Sequence, residues 1–452
     1  MNFRFATDDL EVRVVRVVHK WEMDLESVPV AVSKARRARS LRRATAASAA
    51  SKERVVDPRL RGKRRGHGWE RSPRDEQLLE FVSLHGAMTQ RQAAKWFYGG
   101  VEETARQRIQ KMCESGLLET RVDVPWAGKV LIPTLDGQEV GLLNRDYSLP
   151  KKQLALPRNL EHKLTVVDQA LISRSRGVHV ISERQIRMFE ARPAEVVSAY
   201  LQAHGAKVSA DGIEPGIVPS TLTIVSEVAG GFDVVGERET WLALPIRTPL
   251  DERMAQFSTQ RSGLRFPDFV EITAEGELVA VEVEIANKAD TRLAAIVEGY
   301  REALPYLEQV RTGDGATGRR IRRRQFRRAR WVCSPEVMVE LQGTHDFVSG
   351  EHNPGLIQTL MPEVFGKNFD WSNQGETRPV QVLPVAADDI GVQYALDQRN
   401  LEPQYRCEYQ EWVRWRALWQ EELTDAARAR YPFTRWIRAT GKLQECRDVT
   451  RA

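Results

Sequence analysis

The sequence predicts a mixed fold, α+β with α/β character, on three observations. Residues 265–288 read as two acidic strands joined by a tight connection and followed by a helix. Residues 72–141 carry short helical patterns and then two short strands. Near the C-terminus, Trp412, Trp415 and Trp419 recur at helical spacing. The chain has 452 residues and is 42% hydrophobic, which suffices for buried cores in roughly two to four domains. The patterning divides it into a basic, largely disordered arm (1–70), a helical segment ending in a hairpin (71–148), a central domain (155–345) and a C-terminal extension with a Trp-rich helix (346–452).

Composition excludes several classes. No stretch reaches the roughly 18 uninterrupted apolar residues of a membrane span, and Met1–Phe5 lacks a signal-peptide apolar core. A soluble cytoplasmic protein is expected. Cys113, Cys333, Cys407 and Cys446 are scattered without metal-ligand or disulfide-framework spacing. The net charge of +5 is small, but the cations cluster. One cluster lies between Lys34 and Arg65, where large apolar residues are few; such an arm suits polyanion binding by counterion release. Before it, Val12–Val18 fits either a strand or a short helix.

From residue 72, Leu78, Leu79 and Val82 stripe a first helix that stops at His85-Gly86. Thr89-Gln90-Arg91-Gln92 matches a capping box opening a second helix. A third, from about Glu102 to Glu114, buries Ala105, Ile109 and Met112 and exposes Arg106, Gln107, Gln110 and Lys111, side chains suited to phosphates and base edges. Two short strands, 117–122 and 129–133, flank a turn at Trp126-Ala127-Gly128. Three helices followed by a hairpin is the order of a winged helix-turn-helix, with Lys129 a further contact candidate and double-stranded DNA the expected partner.

Leu160, Leu164, Val167 and Leu171 then mark a helix that carries Glu161, His162 and Asp168. Thr221–Val225 and Trp241–Pro245 look like strands extending the central sheet. In the acidic hairpin, Val279, Val281, Val283 and Ile285 take one face while Leu278, Ala280, Glu282 and Glu284 take the other. With 273–277 as the connection, Ile272 pairs with Leu278, Val270 with Ala280, and Asp268 stands opposite Glu282, about 5 Å away at Cβ. A slip of two residues would substitute Glu284. Two such carboxylates repel unless a cation lies between them, and a hard divalent ion is the usual solution. Solvated surface acids are the alternative.

After the helix beginning near Asp290, a loop precedes the basic run Arg319–Arg330, which leads into the apolar strand Trp331-Val332-Cys333. Arg322, Arg323 and Arg324 are its candidate backbone contacts. A late strand at 380–385, the acidic Asp388-Asp389 and a helix from about Tyr405 to Arg430 complete the chain.

Pro267-Asp268, then Glu282 and Glu284 in an apolar strand, then a helix carrying Leu293, Val297, Tyr300 and Leu304, resembles the core of the PD-(D/E)xK nuclease superfamily. Together with the winged-helix pattern, Leu160-Glu161-His162 to Asp168 and Glu183-Arg184, the chain is similar to replication-relaxation proteins of plasmids and other mobile elements over about residues 72–335. The resemblance implies an αβββαβ core, Mg²⁺ (or Mn²⁺) held by Asp268 and Glu282, and phosphodiester hydrolysis of DNA. It also implies a lysine two residues after Glu282, where this chain has Glu284. Lys288 substitutes only if the chain turns, since fully extended it lies roughly 20 Å away. Glu161 and His162 are the candidates for the first helix's contribution. The expected function is thus a DNA-binding, Mg²⁺-dependent endonuclease of a mobile element, with a catalytically inactive accessory factor for replication or transfer, or a repressor, as alternatives.

Overall fold

The computed structural model describes residues 70–121, 126–143, 149, 154, 159–209, 216–228, 231–245, 264–286, 290–311, 317–322, 324–345, 352–362, 379–424, 427–428 and 432–440. The basic arm, Val12–Val18, Lys288, Arg323 and Cys446 lie outside them. The chain divides into two compact units, of which the second comprises Arg71–Ser220, Glu239–Ile246 and Leu264–Ala452. Among the described residues no helix is long and apolar enough to cross a membrane.

The second unit opens with α1 (Pro73–His85). Ser72 and Asp75 cap it reciprocally, proline suits its first turn, and Gly86 ends it at φ 92°, where a side chain would be strained. β1 (Met88–Thr89) leads into α2 (Gln90–Phe97), whose N-terminus carries the expected Thr89–Gln92 capping box. α3 (Glu102–Glu114) buries Ala105, Ile109 and Met112 and leaves Arg106, Gln107, Gln110 and Lys111 exposed, as the spacing predicts. β2 (Leu118–Arg121) and β3 (Val130–Pro133) are antiparallel, and β1 pairs with the other edge of β3. The next helix, α4 (Leu135–Gly141), has no counterpart in the sequence reading. It packs too closely for larger residues: a Cβ at Gly137 would stand 1.9 Å from the Leu117 carbonyl oxygen, and one at Gly141 2.6 Å from that of Leu79.

α5 (Leu160–Ser175) precedes β4 (His179–Ser182), α6 (Glu183–Phe189) and α7 (Ala194–Ala203). The first unit carries nearly all of β5 (Ser220–Val228) and β6 (Gly231–Thr240), which pair with each other; in the second, β7 (Leu244–Pro245) pairs with β8 (Leu264–Arg265). These strands form separate two-stranded ladders, so the expectation that they extend the central sheet is corrected. The buried carboxylate of Glu190 holds the turn before β7: Oε1 accepts the N–H groups of Trp241, Leu242 and Ala243.

The central sheet is built on β9 (Phe269–Ile272) and β10 (Leu278–Glu284), joined through a turn with Gly276 at φ 78°. α8 (Asp290–Ala303), β11 (Tyr306–Arg311) and β12 (Thr317–Arg322) follow, then β13 (Arg328–Cys333). After α9 (Pro335–Gln342), β14 (Gly343–His345), β15 (His352–Pro354) and α10 (Leu356–Leu360), the chain returns to the sheet with β16 (Val380–Pro384). The order is β16-β13-β10-β9-β4, so the sheet takes its last strand from beyond residue 345. β4, β9 and β10 run antiparallel in turn, whereas β13 and β16 are parallel to β10 and its neighbour. Val270, Ile272, Leu278 and Ala280 pack with Leu293, Val297 and Tyr300 of α8 and with Trp331 in one buried cluster. Among the described residues α11 (Ile390–Asn400), α12 (Tyr409–Glu422) and α13 (Phe433–Thr440) come last. Trp412, Trp415, Trp419, Phe433 and Trp436 form a second core there.

The N-terminal helices are tied to α5 by polar contacts. Gln92 Nε2 donates to the carbonyl of Leu164 and to Asp168 Oδ1, each at 3.1 Å, and the N–H of Asp388 donates to the other oxygen of Asp168. Burial raises the Asp168 carboxyl to about 6 although these hydrogen bonds oppose it, with the charges of Asp389 and Asp388 adding to the rise. A folded pKa above the unfolded value, near 3.9, means that the native state holds more protons between pH about 4 and about 6, so this group's contribution to stability falls as pH rises through that window. Urea unfolding of the parent and Asp168→Asn across pH 4 to 7.5 should show the parent gaining on the variant by about 2–3 kcal/mol on acidification. A pH-independent difference would contradict this assignment.

Candidate functional site

The hairpin register places the acids. Ile272 pairs with Leu278 and Val270 with Ala280, as expected, but the ladder ends at Phe269–Val281. Asp268 and Glu282 therefore lie just past the last pair. Freed from the ladder, Asp268 Oδ2 accepts the Val283 N–H at 2.8 Å, while Glu282 and Glu284 continue along β10 beside β13 and are buried.

The cation among these carboxylates is a guanidinium. Arg265, at the end of β8, donates from Nη2 to Glu282 Oε2 at 2.8 Å and to Glu284 Oε1 at 3.4 Å, and from Nε to Glu282 Oε1 at 3.3 Å. Tyr300 of α8 donates its hydroxyl to Glu282 Oε1 at 2.8 Å. Burial pushes the Glu282 carboxyl above its ordinary value against the pull of Arg265, and Asp268 and Glu284 push the same way. Arg265 itself is raised: burial opposes its charge, but Glu282 and Glu284 outweigh that. Asp268 is lowered; desolvation works against its charge and is overcome by His162, the Val283 N–H and Arg265.

His162 of α5 reaches this cluster. Its Nε2 lies 2.8 Å from the Val283 carbonyl oxygen and 3.5 Å from Asp268 Oδ2. Burial lowers the imidazole's pKa, but Asp268, Glu284 and the Val283 carbonyl raise it above the ordinary value. Glu161, one residue earlier, is engaged elsewhere: both its oxygens accept from Arg399 of α11, at 2.9 and 2.7 Å. The structure thus brings together Asp268, Glu282, Glu284 and His162, and ties Glu161 to the C-terminal helices.

This donor set does not fit a divalent ion as arranged. Both oxygens of Glu282 accept from protein donors, Asp268 Oδ2 is taken by Val283 and His162, and the Val283 carbonyl is also shared with His162. Among the described residues no group of three or more His, Cys, Asp or Glu side chains is placed to hold a metal. In the sequence Arg265 merely opens the acidic stretch and Tyr300 is one of the residues carried by the following helix. The signal for Arg265 was a basic side chain three residues before Asp268, in a stretch otherwise set for burial.

The candidate nucleic-acid contacts fall into two groups. On α3, Arg106 and Gln107 bond Glu103, and Gln110 and Lys111 bond Glu114, all at the exposed surface. Lys129 is exposed at the start of the β3 segment. In the basic run, Arg324 is partly buried and lines a cavity with Lys207, Phe326 and Arg327. Further along that run Arg327 lies 3.4 Å from Glu277, and Arg330 pairs at 2.7 Å with buried Glu271, which also accepts from Ser173. Part of the run therefore serves the sheet rather than the surface. The chain matches no protein-family model, no curated protein and no solved structure.

Removing one partner of a buried ion pair leaves an uncompensated charge, at a cost of about 3–5 kcal/mol. Arg265→Met should destabilise by about that much in urea unfolding, and adding Glu282→Gln should recover a substantial part of the loss. A loss under about 1 kcal/mol would show that the guanidinium does not hold the cluster.

Proposed function

We propose that the chain is a DNA-binding protein whose nuclease-like domain does not cleave, acting as an accessory factor in replication or transfer of a plasmid or other mobile element. The observation that carries DNA binding is the division of α3 into a buried apolar face and an exposed face of Arg106, Gln107, Gln110 and Lys111. The order α1, β1, α2, α3, β2, β3, with β1 on β3, supports reading this segment as a winged helix-turn-helix with α3 as its recognition helix. The glutamates paired with these side chains do not oppose the reading. Exposed ion pairs contribute about 0–1 kcal/mol, less than phosphate contacts that release counterions.

The order α5, β4, β9, β10, α8, β13 supports the nuclease-like reading of the central domain. Arg265 supports the absence of cleavage, because it occupies by hydrogen bonds the carboxylate oxygens on which a catalytic Mg²⁺ would depend. A second reading, a Mg²⁺- or Mn²⁺-dependent endonuclease, is favoured by the convergence of Asp268, Glu282, Glu284 and His162 at one end of β9 and β10.

One preparation separates them. The full chain should bind duplex DNA with strong salt dependence, and Arg106→Ala and Lys111→Ala should each weaken binding about tenfold, with the salt slope for Lys111→Ala reduced by about one. Supercoiled plasmid with Mg²⁺ or Mn²⁺ should remain intact. Nicking by the parent that disappears in both Asp268→Ala and Glu282→Ala would establish the endonuclease instead, and unchanged affinity in the α3 variants would remove the recognition-helix assignment.

A further inference from the structure

In the DNA reader proposed for α1–α3 and the β2–β3 hairpin, α2, the helix before the recognition helix, presents Thr89 at its N-cap and then Arg91 and Lys95. In a helix-turn-helix the helix before the recognition helix crosses the DNA backbone, where hydroxyls, cations and helix N-termini hold phosphate. Here those donors hold carboxylates of the turn that leads into α11. Asp389 Oδ2 accepts from Thr89 Oγ1 at 2.7 Å and from Arg91 Nε at 3.2 Å, and Oδ1 accepts from Arg91 Nη2 at 2.9 Å. Asp388 Oδ2 lies 2.8 Å from Lys95 Nζ.

The acids are held firmly on their own side. Asp389 also accepts the Gly391 and Val392 N–H groups as the N-cap of α11, and the Asp388 N–H donates to Asp168. The backbone approach is close, since a Cβ at Gly391 would stand 1.9 Å from the Trp126 carbonyl oxygen. The start of α11 is therefore pressed against both α2 and the turn between β2 and β3. α11 in turn belongs with α12 and α13, whose buried aromatic residues form a core of their own, and is tied to α5 by Arg399 on Glu161.

We propose that the Asp388-Asp389 turn is an internal phosphate mimic, which occupies Thr89, Arg91 and Lys95 until DNA backbone displaces it, so that the C-terminal helices restrain DNA binding by the reader. A carboxylate offers the same acceptor chemistry as a phosphodiester oxygen, and a bidentate arginine suits both. DNA engaging only α3 would bind without these contacts; full engagement requires the turn to yield. The inference rests on the DNA-binding reading.

The test is equilibrium binding of the full chain to a short fluorescent duplex over a range of salt. Asp388→Asn/Asp389→Asn should raise affinity at low salt about tenfold and steepen the salt dependence by about one to two, as Arg91 and Lys95 gain phosphates. Asparagine keeps the N-cap of α11, and Asp388→Asn alone, at a partly exposed position, should give a smaller change of the same sign. Lys95→Ala added to the double variant should remove part of the extra slope. A double variant with the parent's affinity and slope, or one whose extra slope survives Lys95→Ala intact, overturns the proposal. If parent binding depends on Arg106 and Lys111 while the asparagine variants change nothing, the mimic alone fails. If neither protein binds DNA, the DNA-binding reading fails with it.

Discussion

Burying Glu282 and Glu284 on one strand, with Asp268 beside them, is the constraint around which the central domain is arranged. Charges of one sign that close together inside a protein require a counter-charge and hydrogen bonds to every acceptor. Arg265 supplies the first and, with Tyr300 and the Val283 N–H, much of the second. A guanidinium suits this task better than an ammonium because its planar fork reaches more than one oxygen while remaining charged. β8 must therefore end beside β10, α8 must present Tyr300 to the sheet, and β9 must begin only at Phe269 so that Asp268 can turn inward.

The sheet repeats the arrangement on β9 and β13. Glu271 is buried with Ser173 and Arg330, and the two strands carrying the ion pair flank β10. Part of a run that reads as a cationic surface is thereby explained as internal charge balance. The N-terminal helices are fixed by related means, through Gln92 on Asp168, Arg184 on Ser83 and Gln138, and Arg91 on Asp389. Polar contacts of fixed geometry thus set where α3 stands, and with it the surface offered to a partner.

What the sequence made legible was local. The capping box at Thr89-Gln92, the end of α1 at Gly86 and the two-residue alternation of β10 depend on neighbours in the chain, and the hairpin register followed from them. α4 was hidden because its glycines weaken the helical signal; they are there for close packing against Leu117 and Leu79. β5 and β7 have strand composition, but composition does not choose a pairing partner. The need for a cation beside Glu282 was readable from alternation alone; that it is Arg265 was not, because the contact joins separate ladders. Nor could spacing reveal that Arg91 meets Asp389 across 298 residues.

Arg265 hydrogen-bonds both oxygens of Glu282, the carboxylate on which a divalent ion would depend. Manganese binding to the full chain, followed by the loss of the free-ion paramagnetic resonance signal, tests that arrangement most directly. With the guanidinium in place, no saturable site is expected in the parent and no change on Glu282→Gln. One Mn²⁺ bound per chain, lost in Glu282→Gln and in Asp268→Asn, would contradict it.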